Sequence, residues 1–126
     1  MSLRDKALDA STRAYSPYST AKVGAAIETT DGKVYQGCNI ENASYGGTVC
    51  AERVAIWKAV SDGHMKLKRI YVYTKDGWPP CGLCLQVISE FADPSLEITL
   101  GNEAGVETTK KFKEFLPNAF TPEHLD

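Results

Sequence analysis

The sequence predicts an α/β domain of three layers, α/β/α, on a five-stranded mixed sheet whose first hairpin and last strand pair are antiparallel. Three observations carry this. β-prone runs and helical repeats alternate in the order αββαβαββα. Asp31-Gly32, a strong hairpin signal, sits between the first two β-prone runs. The link between the last two, Gly101-Asn102-Glu103-Ala104-Gly105, is too short for a helical crossover. The two strand-helix-strand units require right-handed crossovers, which predicts that the second, third and fourth strands are parallel and that helices cover the sheet faces. With 126 residues and 13.8 kDa, the chain is expected to be one domain spanning 1–126.

Taken in order, Leu3, Ala7, Leu8 and Ala14 recur at helical spacing until Ser16-Pro17 stops them. Val23 to Thr29 and Val34 to Asn39 form the hairpin, and a loop over Glu41 to Thr48 follows. Cys50 to Ser61 reads as a largely buried helix, with Val54, Ile56, Trp57 and Val60 on its apolar face and Asp62-Gly63 at its end. Leu67 to Thr74 is a strand, Lys75 to Pro80 a loop of breakers, and Gly82 to Ala92 a helix ended by Asp93-Pro94. Leu96 to Leu100 and Val106 to Phe112 complete the sheet, and a short turn or helix over Glu114 to Phe120 closes the chain around Pro117.

The 43% hydrophobic and 24% charged residues match an ordinary globular domain, which excludes disorder, collagen and coiled coil. A net charge of -2 and a pI near 5.7 offer no general attraction for nucleic acid. The small basic groups, Lys66, Lys68 and Arg69 and then Lys110 and Lys111, read as solvated faces of strands. No run approaches the ~18 apolar residues of a membrane span, and Met1 to Tyr18 lacks the apolar centre of a secretory signal. A cytoplasmic location is therefore expected. In a reducing compartment the four cysteines, Cys38, Cys50, Cys81 and Cys84, read as ligands or catalysts before disulfides.

Cys50-Ala51-Glu52 opens one helix and Cys81-Gly82-Leu83-Cys84 opens the next. Such junctions lie at the carboxyl ends of neighbouring strands, so three thiols far apart in sequence can meet at one point. Thiolates at helix N-termini are favoured by the partial positive charge there, and three of them suit Zn²⁺ with one position left for a catalytic water. The possible fourth protein ligands are Cys38, His64 and His124; Cys38 reads better as a small buried thiol on a strand. A closed, four-ligand structural site would make the zinc inert. Glu52 separates the two cases: a lone helical Glu usually faces solvent, but two residues after a thiol at a helix start it points into the metal pocket as an acid/base. Cys-x-Glu followed by Pro-Cys-x-x-Cys is the signature of zinc deaminases, with Glu not a ligand.

Beyond that signature, the chain resembles small homotetrameric cytidine deaminases of the three-cysteine type. The resemblance runs through Tyr15-Ser16-Pro17-Tyr18-Ser19, Val23-Gly24-Ala25-Ala26, Gly37 to Tyr45, Cys50-Ala51-Glu52-Arg53, Pro80 to Cys84 with Gln86-Val87, and Leu116-Pro117 with Ala119-Phe120. It implies a cytidine-deaminase-like fold, one Zn²⁺ per subunit with water as fourth ligand, and hydrolysis of cytidine and deoxycytidine in pyrimidine salvage. It also implies that Asn39 and Glu41 hold the ribose 3′-hydroxyl and that Tyr45 lies near the 5′-hydroxyl from a neighbouring subunit. The Ala51 N–H would meet the pyrimidine O2, the Pro79 carbonyl the amine, and Phe120 of another subunit the base. Arg53 would bond the zinc thiolates; three thiolates on Zn²⁺ leave a net -1, and a guanidinium withdraws part of that density.

Blander readings stay open for Asn39 and Glu41 as a solvated loop, Phe120 as terminal packing and Arg53 as an exposed helix residue. Two positions depart from the family pattern. Ala21 stands where Phe is usual, with Trp78 able to supply the missing aromatic face, and Leu85 stands where Arg is usual. These departures keep open a deaminase of a modified or related aminated heterocycle, similar to blasticidin S deaminase. A non-catalytic, zinc-stabilised nucleoside-binding module is the remaining alternative.

Overall fold

The computed structural model describes residues 1–125, and its strands form one five-stranded sheet in the order β2-β1-β3-β4-β5. The chain opens with α1 (Leu3–Ser11), fixed by a capping box in which Asp5 N–H donates to Ser2 Oγ at 3.1 Å and Ser2 N–H donates to Asp5 Oδ2 at 3.2 Å. It stops short of Ala14. The hydroxyls of Ser11 and Thr12 donate back to the carbonyls of Leu8 and Asp9, both at 2.6 Å, and compete with further helical bonds. The chain then crosses to the outgoing end of the hairpin, where Tyr15 N–H donates to the Asn39 carbonyl at 3.0 Å.

The hairpin of β1 (Gly24–Thr29) and β2 (Val34–Cys38) is antiparallel, with Ala26 opposite Gln36 and Gly32 at φ +88° in the turn. Next come α2 (Ala51–Ser61), β3 (Leu67–Tyr73), α3 (Gly82–Phe91), β4 (Ala92–Gly101) and β5 (Glu107–Lys111). The strands β2, β3 and β4 run in one direction, but only β3 and β4 are paired in parallel. β1 lies between β2 and β3, antiparallel to both, so the α2 crossover spans it. The last pair, β4 and β5, is antiparallel.

Two boundaries differ from expectation. β4 begins at Ala92, directly after α3, and carries Asp93-Pro94 inside it. Pairing with β3 breaks between the Leu67–Ala92 and Arg69–Glu97 partners, so Pro94 falls where the ladder asks for no N–H. At the carboxyl end no α-helix forms over Glu114 to Phe120; two short 3₁₀ turns, Phe112–Glu114 and Pro122–His124, stand on either side. Pro117, lacking an N–H, breaks any longer helix.

Helices cover both faces. Ile27, Ile70, Val72, Leu96 and Ile98 meet Ala51, Ala55, Ile56, Ala59, Leu85 and Ile88 of α2 and α3 on one side. Ala26 and Tyr71 meet Ala7 of α1 on the other, where Arg4 donates to Tyr71 Oη at 2.7 Å. The inward face of α2 is made of small residues. At Gly37 the helix lies so close that an added Cβ would sit 2.4 Å from the Ala51 carbonyl oxygen. That contact admits Ala51 and Ala55, and it leaves Trp57, expected in the core, 49% exposed. Leu85 is buried in the core. Among the described residues, no helix is long and apolar enough to cross a membrane.

Gly37 therefore sets the height of α2 over the sheet. We expect Gly37→Ala to lower stability by about 1–3 kcal/mol, read as a lower urea midpoint at unchanged slope, because the neighbour it meets is backbone and cannot rotate away.

Candidate metal and catalytic site

The junctions before α2 and α3 lie beside one another, and each begins with a cysteine at the N-cap. The Cys50 and Cys81 sulfurs are 3.8 Å apart, and with Cys84 all three lie within 4.8 Å of one another. Tetrahedral ligation at a Zn–S distance of ~2.3 Å places sulfurs roughly 3.8 Å apart, so the spacing fits zinc. The cluster holds three ligand groups among the described residues. Cys38 ends β2, half-buried and outside the cluster; His64 is bonded to Asp31 at 2.7 Å; His124 accepts from Thr121 N–H in the tail.

Cys50 is the thiol of the cluster that gives up its proton most readily. Cys50 is drawn down to about 5, first by its hydrogen bond with Cys84 and then, against the cost of burial, by Arg53 and Cys81. Cys84 is pushed up, first by that same bond and then by burial. One thiolate is thus held by a neighbouring thiol, an arrangement that a soft divalent cation replaces by displacing the shared protons. Arg53 Nη2 donates to Cys50 Sγ at 3.4 Å, and its guanidinium lies over the Trp57 ring at 5.8 Å. Removing that donor returns electron density to the sulfurs. For Arg53→Ala we expect zinc to be retained and kcat to fall roughly 10- to 100-fold, checked by metal analysis beside steady-state rates.

Glu52, the second residue of α2, is 4% exposed beside this cluster, and burial pushes its carboxyl up to about 7. It lines a cavity of about 260 Å³ together with Cys50, Cys81, Ala51, Pro79, Asn39 and Glu41. Asn39 is pinned: Oδ1 accepts from Val23 N–H at 2.9 Å and Nδ2 donates to the Ala21 carbonyl at 2.8 Å, which leaves one amide hydrogen and one lone pair free. The Glu41 carboxylate accepts from Tyr18 N–H at 2.9 Å, from Ser19 N–H at 3.1 Å and from the Ser19 hydroxyl. The Ser19 hydroxyl leads in holding its pKa below the usual range.

Tyr45 and Phe120 lie elsewhere. Tyr45 is 77% exposed, edge-on to Tyr18, and Phe120 is 54% exposed, stacked on His124. Neither lines the cavity within its own chain. Conversely, the cavity includes Thr48, Val49, Val72 and Thr74, which no motif singled out. Thr74 is the most telling of these, because its buried Oγ1 accepts from Trp78 N–H at 2.7 Å and anchors the loop ahead of Cys81. A Thr four residues before a post-glycine position is a turn signal only in retrospect.

Residues 2–99 match the family model of the cytidine and deoxycytidylate deaminase zinc-binding region. The chain belongs to that family. The cytidine deaminase of Halalkalibacterium halodurans is 46% identical over 123 residues, covering 96% of this chain and 93% of that one. That of Sporosarcina psychrophila is also 46% identical, over 90% of this chain and 85% of its own. The crystal structure of cytidine deaminase from Burkholderia pseudomallei superposes with a TM-score of 0.89 at 43% identity, over 94% of this chain and 96% of that one. The cytidine deaminase fold and a cysteine triad at zinc spacing thus coincide in this family member.

Proposed function

We propose that the protein hydrolyses cytidine and deoxycytidine to uridine and deoxyuridine, releasing ammonia, within pyrimidine salvage in the cytoplasm. The observation that carries this reading is a buried carboxyl, poised near neutrality, beside three sulfurs at zinc spacing. Cys50, Cys81 and Cys84 would hold one Zn²⁺, with water as the remaining ligand. Bound there, zinc supplies Lewis-acid activation of water at neutral pH.

The protein's own part is to move protons. Glu52 accepts a proton from the water that attacks C4 and delivers it to N3. It then takes the second proton from the oxygen now on C4 and gives it to the amine, whose C4–N bond breaks as ammonia leaves. Atoms and charge balance: water and cytidine become uridine and ammonia. Burial, which pushes the metal-free carboxyl up to about 7, lets Glu52 hold a proton as well as release one, and that is what this double use requires.

Asn39 and Glu41 line the same cavity, and the amide hydrogen and the acceptor site left to them would together hold a single sugar hydroxyl. The Ala51 N–H and the Pro79 carbonyl would meet O2 and the amine. Tyr45 and Phe120, exposed and outside their own cavity, are available to a neighbouring copy, which supports a homotetramer with shared sites.

Ultraviolet absorbance of cytidine and, separately, deoxycytidine mixed with the zinc-loaded protein tests the reading. Catalytic loss of cytosine absorbance with stoichiometric ammonia supports it. An unchanged spectrum with zinc bound defeats it. Light scattering decides the tetramer, which a monomer mass would overturn.

A further inference from the structure

Asn39 and Glu41 line the catalytic cavity, and every hydrogen bond of their side chains runs to one short stretch ahead of β1, residues 18–23. Asn39 takes two main-chain partners, the Val23 N–H and the Ala21 carbonyl. Glu41 takes the N–H groups of Tyr18 and Ser19 and, in addition, the Ser19 hydroxyl. Ser19 is thus the single side chain that holds either member of the pair.

That hydroxyl has two partners. It donates to the Glu41 carboxylate and accepts from Ala21 N–H at 3.1 Å, and Ala21 is the residue whose carbonyl binds Asn39 at 2.8 Å. One oxygen therefore joins the holder of Glu41 to the holder of Asn39. Ser19 does not itself line the catalytic cavity, so it acts there through these two residues. Between Ser19 and Ala21 the backbone is forced. Thr20 takes φ +62°, the one non-glycine residue in the left-handed region among the described residues, and a β-branched one. Its N–H donates to the Ser16 carbonyl at 2.9 Å and its hydroxyl to the Ser19 carbonyl at 2.6 Å, which keep it there. An unfavourable backbone held by its neighbours is a feature of turns that place functional groups.

The hold decides what the pair can take. With Oε1 engaged twice and Oε2 once, an ionised Glu41 has one acceptor site left, and Asn39 has one amide hydrogen left. A free hydroxyl, which donates once and accepts once, matches that remainder. A carboxylate fixed in place cannot turn to another partner, so a ligand lacking the hydroxyl leaves it unpaired and is rejected.

We propose that Ser19 is a positioning residue for sugar recognition, holding Glu41 directly and Asn39 through Ala21, and so setting how strictly the site demands a free sugar hydroxyl. The inference rests on the sugar reading of Asn39 and Glu41 given above.

The experiment compares kcat and KM for cytidine and 3′-deoxycytidine in the zinc-loaded wild type, Ser19→Ala and Ser19→Thr. Wild type should favour cytidine by about 100-fold or more in kcat/KM. In Ser19→Ala the KM for cytidine should rise at least about fivefold with kcat within about threefold, and the preference for cytidine should fall at least about tenfold. The preference falls because a loosened carboxylate finds water when the hydroxyl is missing. Ser19→Thr keeps the hydroxyl at an exposed position with room for a methyl, and should restore both values. A Ser19→Ala protein that loses equally on both substrates, so that the preference is unchanged, assigns Ser19 a structural part only and overturns the proposal. A wild type that treats the two substrates alike overturns the sugar reading itself. The Glu41 carboxyl gives a readout independent of turnover. The Ser19 hydroxyl leads in holding it below the ordinary 4.5, so its carbon-13 titration, identified by its loss in Glu41→Gln, should move up in Ser19→Ala. If neither substrate is turned over the deaminase reading fails, and an unmoved titration then overturns the hold of Ser19 on Glu41.

Discussion

Glu52→Gln should abolish nearly all turnover while the protein keeps its fold and its zinc. The loss expected from removing a positioned acid/base is about 10²–10⁴-fold in kcat, with KM moved far less because the amide keeps the shape of the cavity wall. A variant retaining wild-type kcat would remove Glu52 from the mechanism. The same substitution has a second, opposite effect on the metal-free protein. The folded carboxyl sits near 7 against an ordinary 4.5, so the fold favours its neutral form. Its stabilising contribution is fully present below pH 4.5, is lost as pH rises from 4.5 to about 7, and is absent above. The Gln variant has no charge to bury. At pH 8 it should be more stable than the metal-free wild type by on the order of 3 kcal/mol, with the gap closing towards pH 4. The difference between the two proteins removes the part of the Cys50 titration that is independent of Glu52, while the repulsion between the two charges stays in the gap as part of what raises the carboxyl. Urea midpoints at pH 4 and 8 measure it, and a gap independent of pH would show that the carboxyl is not held neutral.

Cys84→Ser should be the more damaging change. Cys84 is fully buried on the first turn of α3, and its sulfur is one of only three metal-ligating groups at the cluster among the described residues. A hydroxyl is a poor zinc ligand, and two remaining thiols cannot hold the ion in a site designed around three. Metal content should fall below stoichiometry and turnover by at least about 10³-fold. Because structural and catalytic metal binding is also folding free energy, chelation of the wild type should lower Tm by several degrees, and the Ser variant should show no further drop with chelator. Persistence of full zinc content in Cys84→Ser would remove this residue from the ligand set.

Much of this molecule is legible in its residues because the informative signals are local. Asp31-Gly32 sets a hairpin through backbone twist, and Leu83, Val87, Ile88 and Phe91 set a helix through their period. Cys50-Ala51-Glu52 and Pro80 to Cys84 name a chemistry because metal ligation restricts residue type and spacing. Signals fail where the deciding contact is distant. Trp57 has the apolarity of a core residue, but backbone contact between α2 and Gly37 reserves that face for alanines. Pro94 reads as a terminator, yet β4 carries it because the break in pairing with β3 falls there. Thr74 and Trp78 are 22 and 26 residues beyond Glu52 in sequence, and only the sheet brings them to its cavity.

The sequence by itself determined the order of elements, the thiol set, the proposed acid/base and the family to which the chain belongs, because each is written in residue type and short spacing. Tertiary structure decided the rest. It inserted β1 between β2 and β3, brought the three sulfurs within 4.8 Å, buried Glu52 until its carboxyl rose to about 7, and set Ser19 against Glu41. Those are properties of distance and of exclusion from water, and they exist only once segments far apart in the chain have been packed together.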